Sequence, residues 1–224
     1  MNARELAAYI DHTLLKAEST SQDIDKICDQ AIEFGFCAVC VNPRWVRVAA
    51  DKLENTNVKV CSVAGFPLGA EMAKVKAAQA KELIFAGADE VDMVADLAAI
   101  IERDHKYIEN DLREVLKVCR GVRPDVTLKV IIESAALNEE QIKFVCQIAD
   151  FCGVDFLKTS TGLHPAGGAA VDDIKLMRQF APHCKIKAAG GIRTAQQAIE
   201  LIEAGADRIG TSAGPAIIAE LQTA

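Results

Sequence analysis

The stretch Cys152-Gly153-Val154-Asp155-Phe156-Leu157-Lys158 closes one element and opens another. Glycine adopts the left-handed conformation that ends a helix without a steric penalty, so a strand can follow at once. The same unit recurs at Phe34-Gly35-Phe36-Cys37-Ala38-Val39, Ala86-Gly87-Ala88-Asp89-Glu90-Val91 and Ala204-Gly205-Ala206-Asp207-Arg208-Ile209. Each repeat reads as a helix-ending glycine, a small residue or two, and a short apolar strand. Between these units lie further apolar strands at residues 58–63, 126–132 and 185–188, with a shorter candidate at 9–13. That spacing suits alternating strands and helices.

The intervening segments have helical period. Ile24, Ile27, Cys28 and Ala31 follow the i, i+3, i+4, i+7 pattern behind the box Thr20-x-x-Asp23. Ile142, Val145, Cys146 and Ala149 repeat it behind Asn138-x-x-Gln141, and Ala195, Ala198, Ile199 and Ile202 behind Thr194-x-x-Gln197. Strands this apolar, alternating with amphipathic helices, imply a parallel sheet covered by helices. About eight units favour one α/β domain over residues 1–224, closed as a (β/α)8 barrel. An open doubly wound sheet would carry a glycine fingerprint after its first strand, and none is present.

Half of the 224 residues are apolar and the formal net charge is −7. An acidic chain lacks the basic footprint that nucleic acid demands. No apolar run approaches the ~20 residues that span a bilayer. Met1-Asn2-Ala3-Arg4-Glu5 has no basic region leading into an apolar core, so no secretory signal is expected and a cytoplasmic location is. The eight cysteines are expected to be structural or substrate-lining. Cys28, Cys61, Cys119 and Cys146 read as small hydrophobes. Cys37 and Cys40 match C-x-x-C, but residues three apart on a strand point to opposite faces, so their sulfurs would not converge.

Catalytic groups of a barrel project from the C-terminal ends of its strands. Those ends offer Asp11-His12-Thr13, then Cys40 and Asn42, then Asp92, Lys129 with Glu133, Lys158 and Lys187. A lysine amine is almost wholly protonated at neutral pH, and burial or a neighbouring cation lowers its pKa toward a usable nucleophile. Lys158 and Lys187 fall on adjacent strands, so one could attack while the other stays charged. Asp92 could exchange protons with the adduct. The residues leave open which lysine attacks, and a plainer assignment in which Lys187 binds an anion and Asp92 caps a loop. Lys129 and Glu133 share strand parity, so they either pair inside the barrel, the favoured reading, or both face the helices. His12 is expected to be structural, and His105, His164 and His183, in loops with no partner pattern, solvated.

Gly190-Gly191-Ile192-Arg193-Thr194 and Gly210-Thr211-Ser212-Ala213-Gly214-Pro215 each precede a helix. Together they point to phosphate held by backbone N–H groups and helix N-termini. Thr161 and Gly162, in the loop after Lys158, are further candidate substrate contacts.

Asp11-His12-Thr13-Leu14-Leu15, Val39-Cys40-Val41-Asn42-Pro43, Gly65-Phe66-Pro67-Leu68-Gly69, Glu90-Val91-Asp92-Met93-Val94, Leu128-Lys129-Val130-Ile131-Ile132-Glu133, Leu157-Lys158-Thr159-Ser160-Thr161-Gly162 and Gly190-Gly191-Ile192-Arg193-Thr194, in that order, resemble the deoxyribose-phosphate aldolase family of class I aldolases. The resemblance implies reversible cleavage of 2-deoxy-D-ribose 5-phosphate to acetaldehyde and D-glyceraldehyde 3-phosphate, in deoxyribose phosphate catabolism, with neither metal nor cofactor. It implies Lys158 as the Schiff-base lysine, Lys187 as the lysine that perturbs it and Asp92 as the proton relay. Asp11, Cys40, Thr161, Gly162, Gly190, Gly191, Gly210 and Ser212 would line the substrate, and a dimer or tetramer is expected. The sequence departs from the family pattern at Leu163-His164-Pro165, at Ala189 and Ala213 where serine is frequent, and at Asp96 where asparagine is common. Rival readings are a transaldolase-like barrel enzyme and a barrel that binds a sugar phosphate without turnover.

Overall fold

The computed structural model describes residues 1–123 and 125–222. Eight parallel strands close into a barrel in sequence order: β1 (Ile10–Leu14), β2 (Ala38–Val41), β3 (Lys59–Ala64), β4 (Glu90–Val94), β5 (Thr127–Ile131), β6 (Phe156–Lys158), β7 (Lys185–Ala189) and β8 (Arg208–Thr211). Every strand pairs with its sequence neighbours, and β8 returns to β1 with Ile10 opposite Ile209. The expected (β/α)8 barrel is therefore the observed fold.

Among the described residues ten α-helices surround it: α1 (Ala3–Ala7), α2 (Ser21–Phe34), α3 (Val46–Leu53), α4 (Ala73–Phe85), α5 (Leu97–Glu102), α6 (His105–Val122), α7 (Glu139–Cys152), α8 (Val171–Phe180), α9 (Ala195–Glu203) and α10 (Gly214–Gln222). The three anticipated capping boxes form at Thr20, Asn138 and Thr194, where each side chain accepts a first-turn N–H and its partner side chain answers. α2 and α7 bury the expected stripe, whereas α9 buries Leu201 in place of Ile199 and Ile202. The repeated glycine divides into two uses. Gly35 and Gly153 are left-handed caps, but α4 and α9 end on the right-handed Ala86 and Ala204, with Gly87 and Gly205 one residue later at φ 107° and 116°.

The apolar core lies mainly between barrel and helices, where Val39, Val41, Val91, Val130, Leu157, Ile186 and Ile209 meet the helical stripes. Inside the barrel the apolar cluster is small: Cys40, Cys61 and Val63, with Leu15 and Phe66 packed on it. Much of the remaining interior is charged. Asp11, Glu90, Asp92, Lys129, Lys158, Lys187 and Arg208 are all buried. Burial of so many ionised groups is tolerable only if they neutralise one another. That constraint defines the site.

Candidate active site

Strand register assembles the charged cluster. Lys158 of β6 lies opposite Lys187 of β7, and Asp92 of β4 opposite Lys129 of β5. The Asp92 carboxylate sits among three ammonium groups. Its Oδ2 accepts from Lys158 Nζ at 2.7 Å and Lys187 Nζ at 2.8 Å, and its Oδ1 from Lys129 Nζ at 2.9 Å. The Cys61 thiol also donates to Oδ1, at 3.1 Å. Lys187 reaches Asp11 Oδ2 at 2.5 Å, and Lys129 reaches Glu90 Oε2 at 2.5 Å. Arg208 closes the network, donating to Asp11 Oδ1 at 2.7 Å and Glu90 Oε2 at 3.0 Å.

These contacts rank the cations. Lys129, Lys187 and Arg208 each touch two carboxylates, whereas Lys158 touches Asp92 alone among the described residues. Burial opposes the charge on Lys187, but Asp11 and Asp92 outweigh it and hold its pKa far above the usual lysine range. The same balance, with Asp92 foremost, raises Lys129. Burial likewise opposes ionisation of Asp92, yet Lys129, Lys158 and Lys187 hold its carboxyl well below the carboxylate range. Four cations thus face three carboxylates, and the surplus charge falls on the lysine with the fewest partners. Asp92, Lys158 and Lys187 meet as anticipated, and Asp11 joins them as the second anchor of Lys187.

Several expectations need correction. Lys129 and Glu133 do not pair: Lys129 turns to Glu90 and Asp92, while Glu133, just past the end of β5, accepts from the backbone N–H and the hydroxyl of Thr161, the latter at 3.1 Å. Glu133 holds φ 53°, a left-handed conformation rare outside glycine, which places its carboxylate under the Thr161 loop. Cys61 is not merely a small hydrophobe, since it donates to Asp92. Cys37 lies before β2, and Cys40 converges with Cys61 instead. His12 is structural, its Nε2 bonded to Gln30 Oε1 at 2.9 Å. His105 and His183 are exposed as expected, though they also meet Glu109 and Asp150, and the half-buried His164 accepts from the Ala166 N–H. Asp96 caps α5.

Cys40, Cys61 and Asp92 have metal-ligand spacing, with one ligand atom of each within 4.8 Å of the others. A metal there would have to displace Lys129, Lys158 and Lys187 from Asp92, so the charge pattern does not suit it.

The loops at the barrel mouth are drawn together by backbone contact. The Ala169 N–H donates to Gly190 O at 3.2 Å, and the Thr211 hydroxyl to Ile192 O at 2.7 Å. A Cβ built on Gly168 would fall 2.1 Å from Gly190 O, so the two chains meet this closely only without a side chain. Gly190 and Gly191 have φ 92° and 77°, and Gly191 and Ser212 are exposed. Gly210 has another role than expected. It lies within β8, where a Cβ would come 3.1 Å from Lys187 Cε, so it leaves room for that side chain. Ser160, Gly168, Glu90 and Arg208 were not anticipated. Strand parity could have found two of them: Glu90 and Arg208 stand two residues before Asp92 and Gly210, on the same inward face.

A closed barrel with interacting buried lysines and a shared carboxylate defines a class of enzyme, one built for carbonyl chemistry through an amine. The comparisons narrow the class. A family model described as DeoC/LacD family aldolase matches residues 6–220. A protein of Thermococcus kodakarensis named deoxyribose-phosphate aldolase is 52% identical, over 97% of both chains. One of the same name from Finegoldia magna is 48% identical, over 96% of this chain and 99% of the relative. Among solved structures, the tetrameric deoxyribose phosphate aldolase of Aeropyrum pernix superimposes with a TM-score of 0.91 at 28% identity, covering 99% of this chain and 92% of that one. An aldolase called QR15 gives 0.90 at 39% identity over 98% and 96%. The chain belongs to the DeoC/LacD aldolase family.

Proposed function

We propose that this chain is a deoxyribose-phosphate aldolase that cleaves 2-deoxy-D-ribose 5-phosphate reversibly to acetaldehyde and D-glyceraldehyde 3-phosphate through an imine on Lys158. The observation that carries the assignment of Lys158 is its single carboxylate partner, against two for each neighbouring cation. It is the amine least committed to ion pairs, and an amine free of them is what adds to an aldehyde.

The neutral amine adds to the aldehyde carbon of the open-chain sugar, and loss of water gives an iminium ion. That cation draws the electrons of the C2–C3 bond as the C3 hydroxyl loses its proton. D-Glyceraldehyde 3-phosphate departs and an enamine remains. Protonation at C2 and hydrolysis release acetaldehyde and restore Lys158. Asp92 receives and returns protons, with Lys187 as the fixed charge that repels a proton from Lys158 while sharing its oxygen. Asp11 holds Lys187 in that role.

The phosphate is assigned to the mouth, on backbone N–H groups around Gly162, Gly190, Gly191 and Ser212. Thr161, fixed by Glu133, and the buried Ser160 hydroxyl, which has no partner among the described residues, are offered to the sugar hydroxyls. Cys40, next to Cys61 and Asp92, lines the floor. Assembly as a dimer or tetramer is part of this reading, supported by the tetrameric relative. So is a cytoplasmic site of action; no described helix is long and apolar enough to cross a membrane.

Borohydride reduction in the presence of acetaldehyde, followed by peptide mass mapping, tests the assignment. An ethyl adduct on Lys158 is expected. No adduct, or one on Lys187 or Lys129, overturns it.

A further inference from the structure

We propose that Cys40 and Cys61 form an oxidisable dithiol within the barrel, which peroxide converts to a disulfide that impairs the Asp92 site and a dithiol reductant restores. The two residues are register partners on β2 and β3. Neighbouring strands lie about 4.8 Å apart, inside the range of about 4.4–6.8 Å between disulfide-linked Cα atoms. Both side chains belong to the small interior cluster with Val63, and their sulfurs lie within 4.8 Å of each other. No other buried thiol pair in the described residues stands against the charged cluster.

The chemistry around them is asymmetric. The neighbouring Cys61 sulfur lowers the pKa of Cys40, with Lys187 and Lys158 assisting against burial and Asp92. Burial pushes Cys61 well up, so it keeps its proton. One sulfur is thus the more readily ionised and the other its proton-bearing neighbour, the arrangement of an attacking and a resolving cysteine. Cys146 and Cys184 also lie near each other, but burial pushes Cys184 up to about 12 and Cys146 higher still. They serve as an internal control.

An aldehyde must reach Lys158, which is itself buried and touches the same carboxylate as Cys61. Hydrogen peroxide is smaller than any such aldehyde. The Cys40 thiolate attacks one peroxide oxygen, the O–O bond breaks, and with one proton the products are a sulfenic acid and water. The Cys61 sulfur then attacks the Cys40 sulfur, and its thiol proton leaves with the hydroxyl as a second water. Both sulfurs are oxidised by one electron each, and peroxide is reduced to two waters.

A disulfide has no S–H. Asp92 Oδ1 would lose the bond it accepts from Cys61 and keep only Lys129. Losing a hydrogen bond to a charged group corresponds to roughly a tenfold or larger fall in rate if that carboxylate must be correctly placed. The activity arm rests on the reading of Asp92 as proton relay; the mapping arm does not.

The test treats the reduced full chain with hydrogen peroxide, then maps peptides without reductant and assays deoxyribose phosphate cleavage. The expected result is a Cys40–Cys61 cross-linked peptide, lighter by the two thiol hydrogens, and a roughly tenfold slower enzyme that dithiothreitol restores. In Cys61→Ala no cross-link forms, and dimedone labels Cys40 as a sulfenic acid. If both thiols stay fully alkylatable, or if Cys146–Cys184 links in their place, the dithiol is overturned. A Cys40–Cys61 link that leaves turnover unchanged overturns the effect on Asp92. An untreated enzyme with no cleavage activity would count against the aldolase reading, and the peptide map would still decide the dithiol.

Discussion

At the level of single residues, the site turns on how four cations divide three carboxylates. Lys187 is anchored twice, by Asp11 and Asp92, and its charge is fixed for that reason. Replacing it with leucine removes the cation that shares Asp92 Oδ2 with Lys158 and leaves Asp11 with Arg208 alone. Lys158 would then meet an unshared carboxylate oxygen and be drawn into a closer ion pair. We expect Lys187→Leu to lose about 10²-fold or more in kcat. A variant with normal turnover would show that Lys187 does not act on Lys158. The meeting of Lys158, Lys187 and Asp92 was legible in the sequence, because strand order and the run of residues at strand ends suffice to bring them together. The choice between the two lysines was not legible from the residues alone. It depends on Asp11, Glu90 and Arg208, whose contacts follow from barrel register across strands as distant in sequence as β1 and β8.

At the level of elements, the repeated Gly-x-Asp that discloses the fold also holds it together. Asp89, Asp155 and Asp207 each accept the N–H of a residue near the start of the preceding strand: Val60, Leu128 and Ile186, at 2.9, 2.8 and 2.7 Å. Each also meets an arginine, Arg123, Arg120 and Arg178 respectively. The aspartate therefore fastens the first residues of β4, β6 and β8 to β3, β5 and β7. Asp155→Ala leaves the Leu128 N–H unpaired and releases Arg120. Since the ion pair is a third exposed, most of the effect belongs to the N–H. We expect a destabilisation of about 1–2 kcal/mol and a melting temperature lower by roughly 2–8 °C. Asp155→Asn keeps an acceptor and should recover most of it; equal losses in both variants would place the stabilisation in the charge instead. The glycines and the apolar strands were plain in the sequence because they are local signals. The role of the aspartate was hidden because its partner lies about 27 residues away, and the convergence of Cys40 with Cys61 was hidden for the same reason.

For the whole molecule, the barrel interior links catalysis to stability. Apolar packing between strands and helices is indifferent to mild acid, but the charged interior is not. Burial opposes ionisation of Asp11, yet Lys187, Arg208 and Lys129 hold its carboxyl below the ordinary 3.8, and Asp92 is depressed by Lys129, Lys158 and Lys187. A carboxylate whose folded pKa is depressed gives stability that is complete above its unfolded pKa and is lost as pH falls through the folded value. The window therefore opens below about pH 4 and extends downward. Protonation there leaves Lys129, Lys187 and Arg208 buried with too few counter-charges. Breaking one side of a buried pair is typically worth about 3–5 kcal/mol, so acid unfolding should be steep. Urea midpoints followed from pH 7 to below pH 3 are expected to stay level and then fall sharply. Asp92→Asn, which cannot titrate at that position, should start from a lower midpoint at neutral pH and decline less steeply. Parallel curves for the two proteins would mean that Asp92 is not coupled to the global stability of the barrel. A shallower curve would mean that the carboxylate shared by Lys158 and Lys187 also secures the barrel that positions them.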